Sequence, residues 1–171
     1  MTVPFLLYLI GLIGNVTVTP FPASIYNVIL LFGSLLLILY CVIYLWIKKK
    51  GGKLVTSGPY RIVRHPQYFA VTIFTLITTY QSLWILINTF GIGWLSAEGT
   101  WMLWIGMLIA YIGIASYEEL YLQNEFGSEW DNYRKRVGFL IPFVKFKSRL
   151  VEAFICLLIP IAILYVSLYL L

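Results

Sequence analysis

The chain has 171 residues, 61% of them hydrophobic and 11% charged, with a net charge of +5 and a mean hydropathy of +0.89. A soluble domain is about one-quarter charged, so this sequence cannot cover a globule with polar surface and is that of a membrane protein. One histidine (His65), one aspartate (Asp131) and two cysteines in apolar runs (Cys41, Cys156) leave no ligand set for a metal, no histidine-clustered di-iron centre, no aspartate-box transferase and no disulfide framework.

Apolar runs at about 3–19, 23–47, 67–88, 100–117 and 150–171 each approach the roughly 20 residues of a spanning helix. They predict an all-α, polytopic membrane protein with five transmembrane helices in a single domain, 1–171. The first run is short, contains Gly11, Gly14 and Asn15, and ends at Pro20 and Pro22. It lacks the basic residues that precede the apolar core of a cleaved signal. Residues 89–99, with Gly91, Gly93 and Gly99, read as the connection between the third and fourth spans. The fourth helix should run on to Phe126, with Gly127 as its terminator, so that Glu118, Leu122 and Glu125 or Phe126 share one face. Gly106, Ala110 and Gly113 on this helix predict a close helix contact.

Ser128 and Asp131 have the spacing of a capping box and predict a short cytoplasmic helix after the fourth span. On it Glu129, Tyr133 and Arg136 share one face, and Trp130, Arg134 and Val137 another. Gly138 and Pro142 end it. Pro160 predicts a kink in the fifth span.

All twelve basic residues fall between spans two and three (Lys48 to Arg64) or between spans four and five (Arg134 to Arg149). Five spans put both segments on one side, which the positive-inside rule makes cytoplasmic, together with the N-terminus. The basic charge is therefore a signature of membrane lipids, not of nucleic acid. No ionisable residue lies mid-span, which argues against an ion-coupled transporter. Asn27, Thr72, Thr75, Thr78 and Gln81 are expected to hydrogen-bond between helices.

The informative stretches are Lys53 to Tyr68, KLVTSGPYRIVRHPQY, and Tyr117 to Val144, YEELYLQNEFGSEWDNYRKRVGFLIPFV. Gly58-Pro59 marks a turn, and Pro66 biases His65 away from helical geometry. Arg64 and His65 then sit on non-helical chain at the mouth of the third span, two cationic donors suited to an anion or a carboxylate. Paired glutamates, Glu118 and Glu119, at a membrane boundary call for a partner: an ammonium, a ribose diol or the arginines of the other segment.

Together, GPYRIVRHPQY and EELYLQNEFGSEWDNYRKRV-x-x-x-IP resemble the isoprenylcysteine carboxyl methyltransferase and phospholipid methyltransferase family of integral membrane enzymes. The resemblance spans roughly residues 53–145 and departs from the family's usual residues at Ala70, Trp130 and Gly138. It implies S-adenosylmethionine bound on the cytoplasmic side and transfer of its methyl group to a lipidic or prenylated acceptor. In that setting Arg64 and His65 suit the donor's carboxylate, Glu118 and Glu119 its ammonium or ribose, and Tyr60, Pro66, Tyr68 and Leu122 the walls of its adenine. Arg136, with Arg134 second, is the candidate cation to position an acceptor carboxylate.

Phospholipid amine N-methylation, an NADPH-dependent sterol-reductase-like activity and a non-enzymatic scaffold are the alternatives. The setting is multi-pass, in the cell membrane of a prokaryote or the endoplasmic reticulum of a eukaryote.

Overall fold

The computed structural model describes residues 25–88, 96–146 and 148–169, and every statement of structure below concerns them. The elements are α1 (Ile25–Lys49), a short 3-10 helix (Gly58–Arg61), α2 (Pro66–Asn88), α3 (Ala97–Phe126), α4 (Ser128–Arg136) and α5 (Arg149–Tyr169). Helices α1, α2, α3 and α5 are each long and apolar enough to cross a membrane. They correspond to the predicted spans two to five, so the protein is a multi-pass, all-helical membrane protein. The predicted first span, 3–19, and most of the 89–99 connection lie outside the described residues.

Helix α2 is the hub: it packs on α1, α3 and α5, while α3 also packs on α4 and α5. Its start follows from Pro66, whose fixed φ and missing N–H suit the first helical position, and Phe69 N–H donates to the His65 carbonyl behind it. Leu83, Trp104, Leu108 and Leu164 form one buried cluster between α2, α3 and α5. A second cluster, Ala115, Phe139, Leu140 and Cys156, lies where the chain after α4 meets α3 and α5. Helix α1 instead exposes Ile29, Phe32, Leu36, Leu39, Ile43 and Ile47. That would be an aggregation liability in water and is the expected face toward lipid.

Two expectations about packing need correction. Gly106, Ala110 and Gly113 are exposed, and nothing lies within 4 Å of where a Cβ of either glycine would be. The buried face of α3 carries Trp104, Leu108 and Ala115 instead, because large side chains fill this interface better than close backbone approach does. The threonines of α2 mostly bond within their own helix: Thr72, Thr75 and Thr78 donate to the carbonyls of Tyr68, Val71 and Phe74. One interhelical bond remains, from Trp104 Nε1 to Thr75 Oγ1 at 3.3 Å. Pro160 lies inside α5.

Helix α3 ends at Phe126 with Gly127 as its cap, as the sequence predicts. Helix α4 does start at Ser128, but Gly127 occupies the N-cap and no side chain caps it. Asp131 is instead 3.4 Å from Gln123 Nε2, which donates to it from α3. The buried stripe of α4 is Trp130, Tyr133 and Val137, so Tyr133 sides with Trp130 and leaves Glu129 and Arg136 exposed.

Beyond α4 the chain folds back on the segment before α2. Val63 and Gly138 form a parallel bridge, with Arg64 N–H donating to the Gly138 carbonyl and His65 N–H to the Phe139 carbonyl. The turn after Gly138 is so tight that a Cβ there would lie 2.8 Å from the Ile141 carbonyl oxygen and collide with that of Val144. Backbone carbonyls cannot yield as a flexible side chain would. Gly138→Ala should therefore lower stability by about 1–3 kcal/mol, the scale of overpacking, seen as a drop in the thermal midpoint of the detergent-solubilised protein.

Candidate functional site

The bridge brings the two motif segments together, and their charged residues meet beneath it. Arg64 is buried, its guanidinium held between Glu119 of α3, 2.8 Å from Nη1, and Glu152 of α5, paired with Nη2. Glu152 also accepts from Phe139 N–H at 3.2 Å. His65, 2% exposed, places Nδ1 3.3 Å from Glu118 and Nε2 3.5 Å from Glu119. Arg134 Nε approaches the other oxygen of Glu119 at 3.9 Å. Two guanidiniums thus face three carboxylates, and a protonated His65 brings the cluster to neutrality.

That protonation is favoured. Burial works against a charged imidazole, but hydrogen bonding to Glu118 and Glu119 outweighs it, and the His65 pKa is raised above its ordinary value near 6.5. Around this core, Tyr68 Oη donates to Glu118 at 2.8 Å, and Phe139 sets its ring edge-on to His65. Tyr133 Oη donates to the Tyr60 carbonyl at 2.6 Å, tying α4 to the 3-10 helix. Burial pushes the phenols of Tyr60 and Tyr133 above their usual range, so both remain protonated.

Above the cluster is a cavity of about 350 Å³, within the roughly 300–1,000 Å³ typical of small-molecule sites. Its walls come from the end of α1 (Leu45, Lys49), the segment after it (Lys53, Leu54), the first motif (Tyr60, Arg64, His65), α3 (Glu118, Leu122, Phe126) and α4 (Trp130, Tyr133). The predicted face Glu118, Leu122, Glu125 and Phe126 all lines it.

The sequence-predicted residues are distributed as follows. Tyr60, Arg64, His65, Glu118 and Leu122 reach the cavity; Glu119, Pro66 and Tyr68 stand behind the lining, Glu119 bound to Arg64 and Tyr68 bound to Glu118. Arg134 touches the cluster through Glu119, whereas Arg136 is exposed and its Nε donates to the Asn132 carbonyl of its own helix. Sequence reasoning missed Glu152, Leu54, Trp130 and Tyr133. The signal for Glu152 was a lone carboxylate at the start of an apolar run, where an acid needs a partner.

Residues 24–105 match the sequence model of the isoprenylcysteine carboxyl methyltransferase (ICMT) family. The match takes in the first motif and ends within α3, before Glu118. Searches of curated proteins and of solved structures returned no match.

Two outcomes follow from the cluster. Removing one partner of a buried pair leaves an uncompensated charge and costs about 3–5 kcal/mol, so Glu152→Ala should destabilise the protein by that order, read by thermal unfolding. For His65 the folded pKa lies above the unfolded one. Its contribution is then complete below about pH 6.5 and is lost as the pH rises through the folded value. Thermal stability of the wild type should fall across that rise, and His65→Gln should flatten the dependence; an unchanged pH profile would contradict the assignment.

Proposed function

We propose, for a chain whose family match supports membership of the isoprenylcysteine carboxyl methyltransferases, S-adenosylmethionine-dependent methyl transfer to a lipidic acceptor, most like carboxyl O-methylation of an isoprenylcysteine. The observation that carries this reading is the 350 Å³ cavity built by both motif segments over the Arg64–Glu119–Glu152 and His65–Glu118 cluster. Glu118, which lines it, suits a cationic group of a ligand, and its apolar and aromatic walls suit a flat base.

S-Adenosylmethionine supplies, when bound, a methyl group on a positively charged sulfur. Glu118, its side chain 41% exposed, is the carboxylate available to the ligand's ammonium or ribose, while Tyr68 and His65 hold that carboxylate in place. Arg64 is committed to Glu119 and Glu152, so its role is to fix Glu119 and the surrounding backbone. Lys49 and Lys53 at the rim complement the donor's carboxylate. The protein's contribution to rate is proximity and alignment of acceptor and methyl group, a term that can reach about 7–11 kcal/mol.

The state of His65 bears on the acceptor. An amine acceptor must lose a proton, and both ring nitrogens of buried His65 face carboxylates, Nδ1 that of Glu118 and Nε2 that of Glu119, so neither is turned to an acceptor. A carboxylate acceptor is already ionised near neutral pH, with a pKa of about 3.5, and requires only a positioning cation. Arg134, beside Glu119, suits that role better than exposed Arg136. The acceptor's chain reaches the cavity from the bilayer, and the side between α1 and α3, to whose lining Leu45, Tyr117 and Tyr121 contribute, is the favoured opening. The motif segments then lie on the cytoplasmic face.

The test is transfer of labelled methyl groups from S-adenosylmethionine to a membrane lipid extract and to a farnesylcysteine analogue, with mass spectrometry of the product. The expected product is a methyl ester. Calorimetry should show binding of S-adenosylmethionine and none of NADPH, with Glu118→Gln weakening the donor about tenfold or more, the scale of a charge-assisted hydrogen bond. Binding of NADPH alone would replace this reading with the reductase.

A further inference from the structure

The cavity's lining runs from the bilayer side to the motif side. Helix α1 comes out of the membrane at Lys49, α2 enters it at Pro66 and α3 leaves it toward Phe126. The lining residues deepest on these helices are therefore Leu45, Gln67 and Tyr117, with Lys49, Leu122 and Glu125 nearer the motif segments. Of the deep three, Gln67 alone carries an amide, and one half of that amide is committed. Tyr60 is buried, and burial keeps its phenol protonated, so its O–H needs an acceptor. It donates to Gln67 Oε1 at 3.1 Å. This fixes which way the amide points and leaves Nε2 with two N–H donors. Those donors make no hydrogen bond among the described residues, and Nε2 is not one of the atoms sealed from solvent. Half-buried Gln67 thus presents donors and no acceptor at the bilayer end of the cavity.

We propose that Gln67 positions the acceptor: its Nε2–H donates to one carboxylate oxygen of a lipidic acid that enters from the bilayer. This deepens the methyltransferase reading and rests on it. The acceptor comes from the lipid, so its head group meets the deep end of the lining first. The donor's charged groups are matched further along, by Glu118 and the rim lysines. Arg134 stands behind Glu119 and outside the lining, so the direct contact falls to a group inside the cavity. An amide also suits the chemistry. The acceptor's free oxygen forms the bond to the methyl carbon as the carbon–sulfur electron pair leaves with the thioether. No proton moves, and the other oxygen stays on Gln67. A neutral donor orients the carboxylate, whereas a cation in direct contact binds its charge more strongly. The fixed amide discriminates as well, because a head group that can only donate finds no acceptor at this position and leaves Nε2 unpaired.

The experiment uses the full chain in detergent, with methyl transfer to N-acetyl-S-farnesylcysteine and calorimetric titration with S-adenosylhomocysteine. Gln67→Glu keeps an acceptor for the Tyr60 hydroxyl but replaces the N–H donors by an anion. It should lower kcat/KM for the acid about tenfold or more, the scale of one hydrogen bond to a charged group. The loss should fall chiefly on KM, without weakening S-adenosylhomocysteine. The carboxamide of the same lipid, used as an inhibitor, gives a readout that lost packing would not move. The wild type should bind the acid about threefold or more tighter than the carboxamide, and Gln67→Glu should lose that preference. Wild-type turnover by Gln67→Glu, an unchanged acid preference, or a fall in S-adenosylhomocysteine affinity matching the fall in kcat/KM would each overturn the proposal. Ligand-free thermal unfolding checks the variant's fold. If it fails, Gln67→Met, uncharged and of similar length, should lose the same acid preference, and its retention would overturn the proposal. A wild type that binds S-adenosylhomocysteine but does not methylate the acid would overturn this proposal alone. A wild type that neither binds S-adenosylhomocysteine nor transfers methyl groups would instead remove the methyltransferase reading itself.

Discussion

The site depends on one buried guanidinium. Arg64 precedes α2 by two residues, and its side chain is held by Glu119 from α3 and Glu152 from α5. Taking three charges out of water is costly unless the geometry satisfies them. Here the cost is offset by pairing on both sides of the guanidinium and by Phe139 N–H, which donates to the second oxygen of Glu152. The consequence is architectural. Three helices and the return segment after α4 share one electrostatic node, so displacement of any of them disturbs the carboxylates at the cavity floor. Helix α5, outside both motifs, is thereby part of the site.

The node also determines which charges remain for a ligand. Glu119 faces Arg64, His65 and Arg134 at once, so its charge is largely answered from within the protein. Glu118 has His65 and Tyr68 as partners but keeps a substantial exposed fraction. The two adjacent glutamates therefore divide the work: one stiffens the floor, the other presents charge to the cavity. Helical geometry makes this possible, since neighbouring positions are separated by about 100° around the axis and point to different surroundings.

Much of this was legible in the sequence because it rests on local chemistry. Pro66 sets the start of α2, Gly127 the end of α3, and the turn-forming Gly58-Pro59 the 3-10 helix, each through a backbone preference that needs no tertiary context. The face Glu118–Leu122–Glu125 follows from helical period alone. The partnership of a motif arginine with a motif glutamate was legible too, as one way to satisfy an acid at a membrane boundary. What escaped prediction was long-range. Glu152 lies 88 residues from Arg64, and nothing in its own apolar neighbourhood names its partner. Tyr133 turns inward with Trp130 because the Tyr60 carbonyl waits there, a fact outside α4. The stripe Gly106, Ala110 and Gly113 has a contact pattern but no neighbour among the described residues, where the bulky residues of the opposite face make the interface. Arg134 and Arg136 are equivalent as sequence; only the docking of α4 puts one beside Glu119 and leaves the other in the open.

Helix α1 closes the remaining side of the cavity through a narrow contact. It packs chiefly on α2, and its apolar surface otherwise faces outward. Near its C-terminal end Tyr44 stacks on Tyr60 and shares a 2.7 Å hydrogen bond with Ser57. This fit demands a glycine at position 58: its φ of +60° disfavours a side chain, and a Cβ there would lie 2.6 Å from the Tyr44 ring. The first motif is thus gripped from two sides, by Tyr44 of α1 and by Tyr133 of α4, with Tyr60 between them. Because both grips act on the four residues of the 3-10 helix, the separation of α1 from α4 across the cavity is set by the thickness of one tyrosine and its neighbours. The spacing of α1 at this edge of the cavity is therefore a matter of aromatic packing, with Tyr44, Tyr60 and Tyr133 in line beside it.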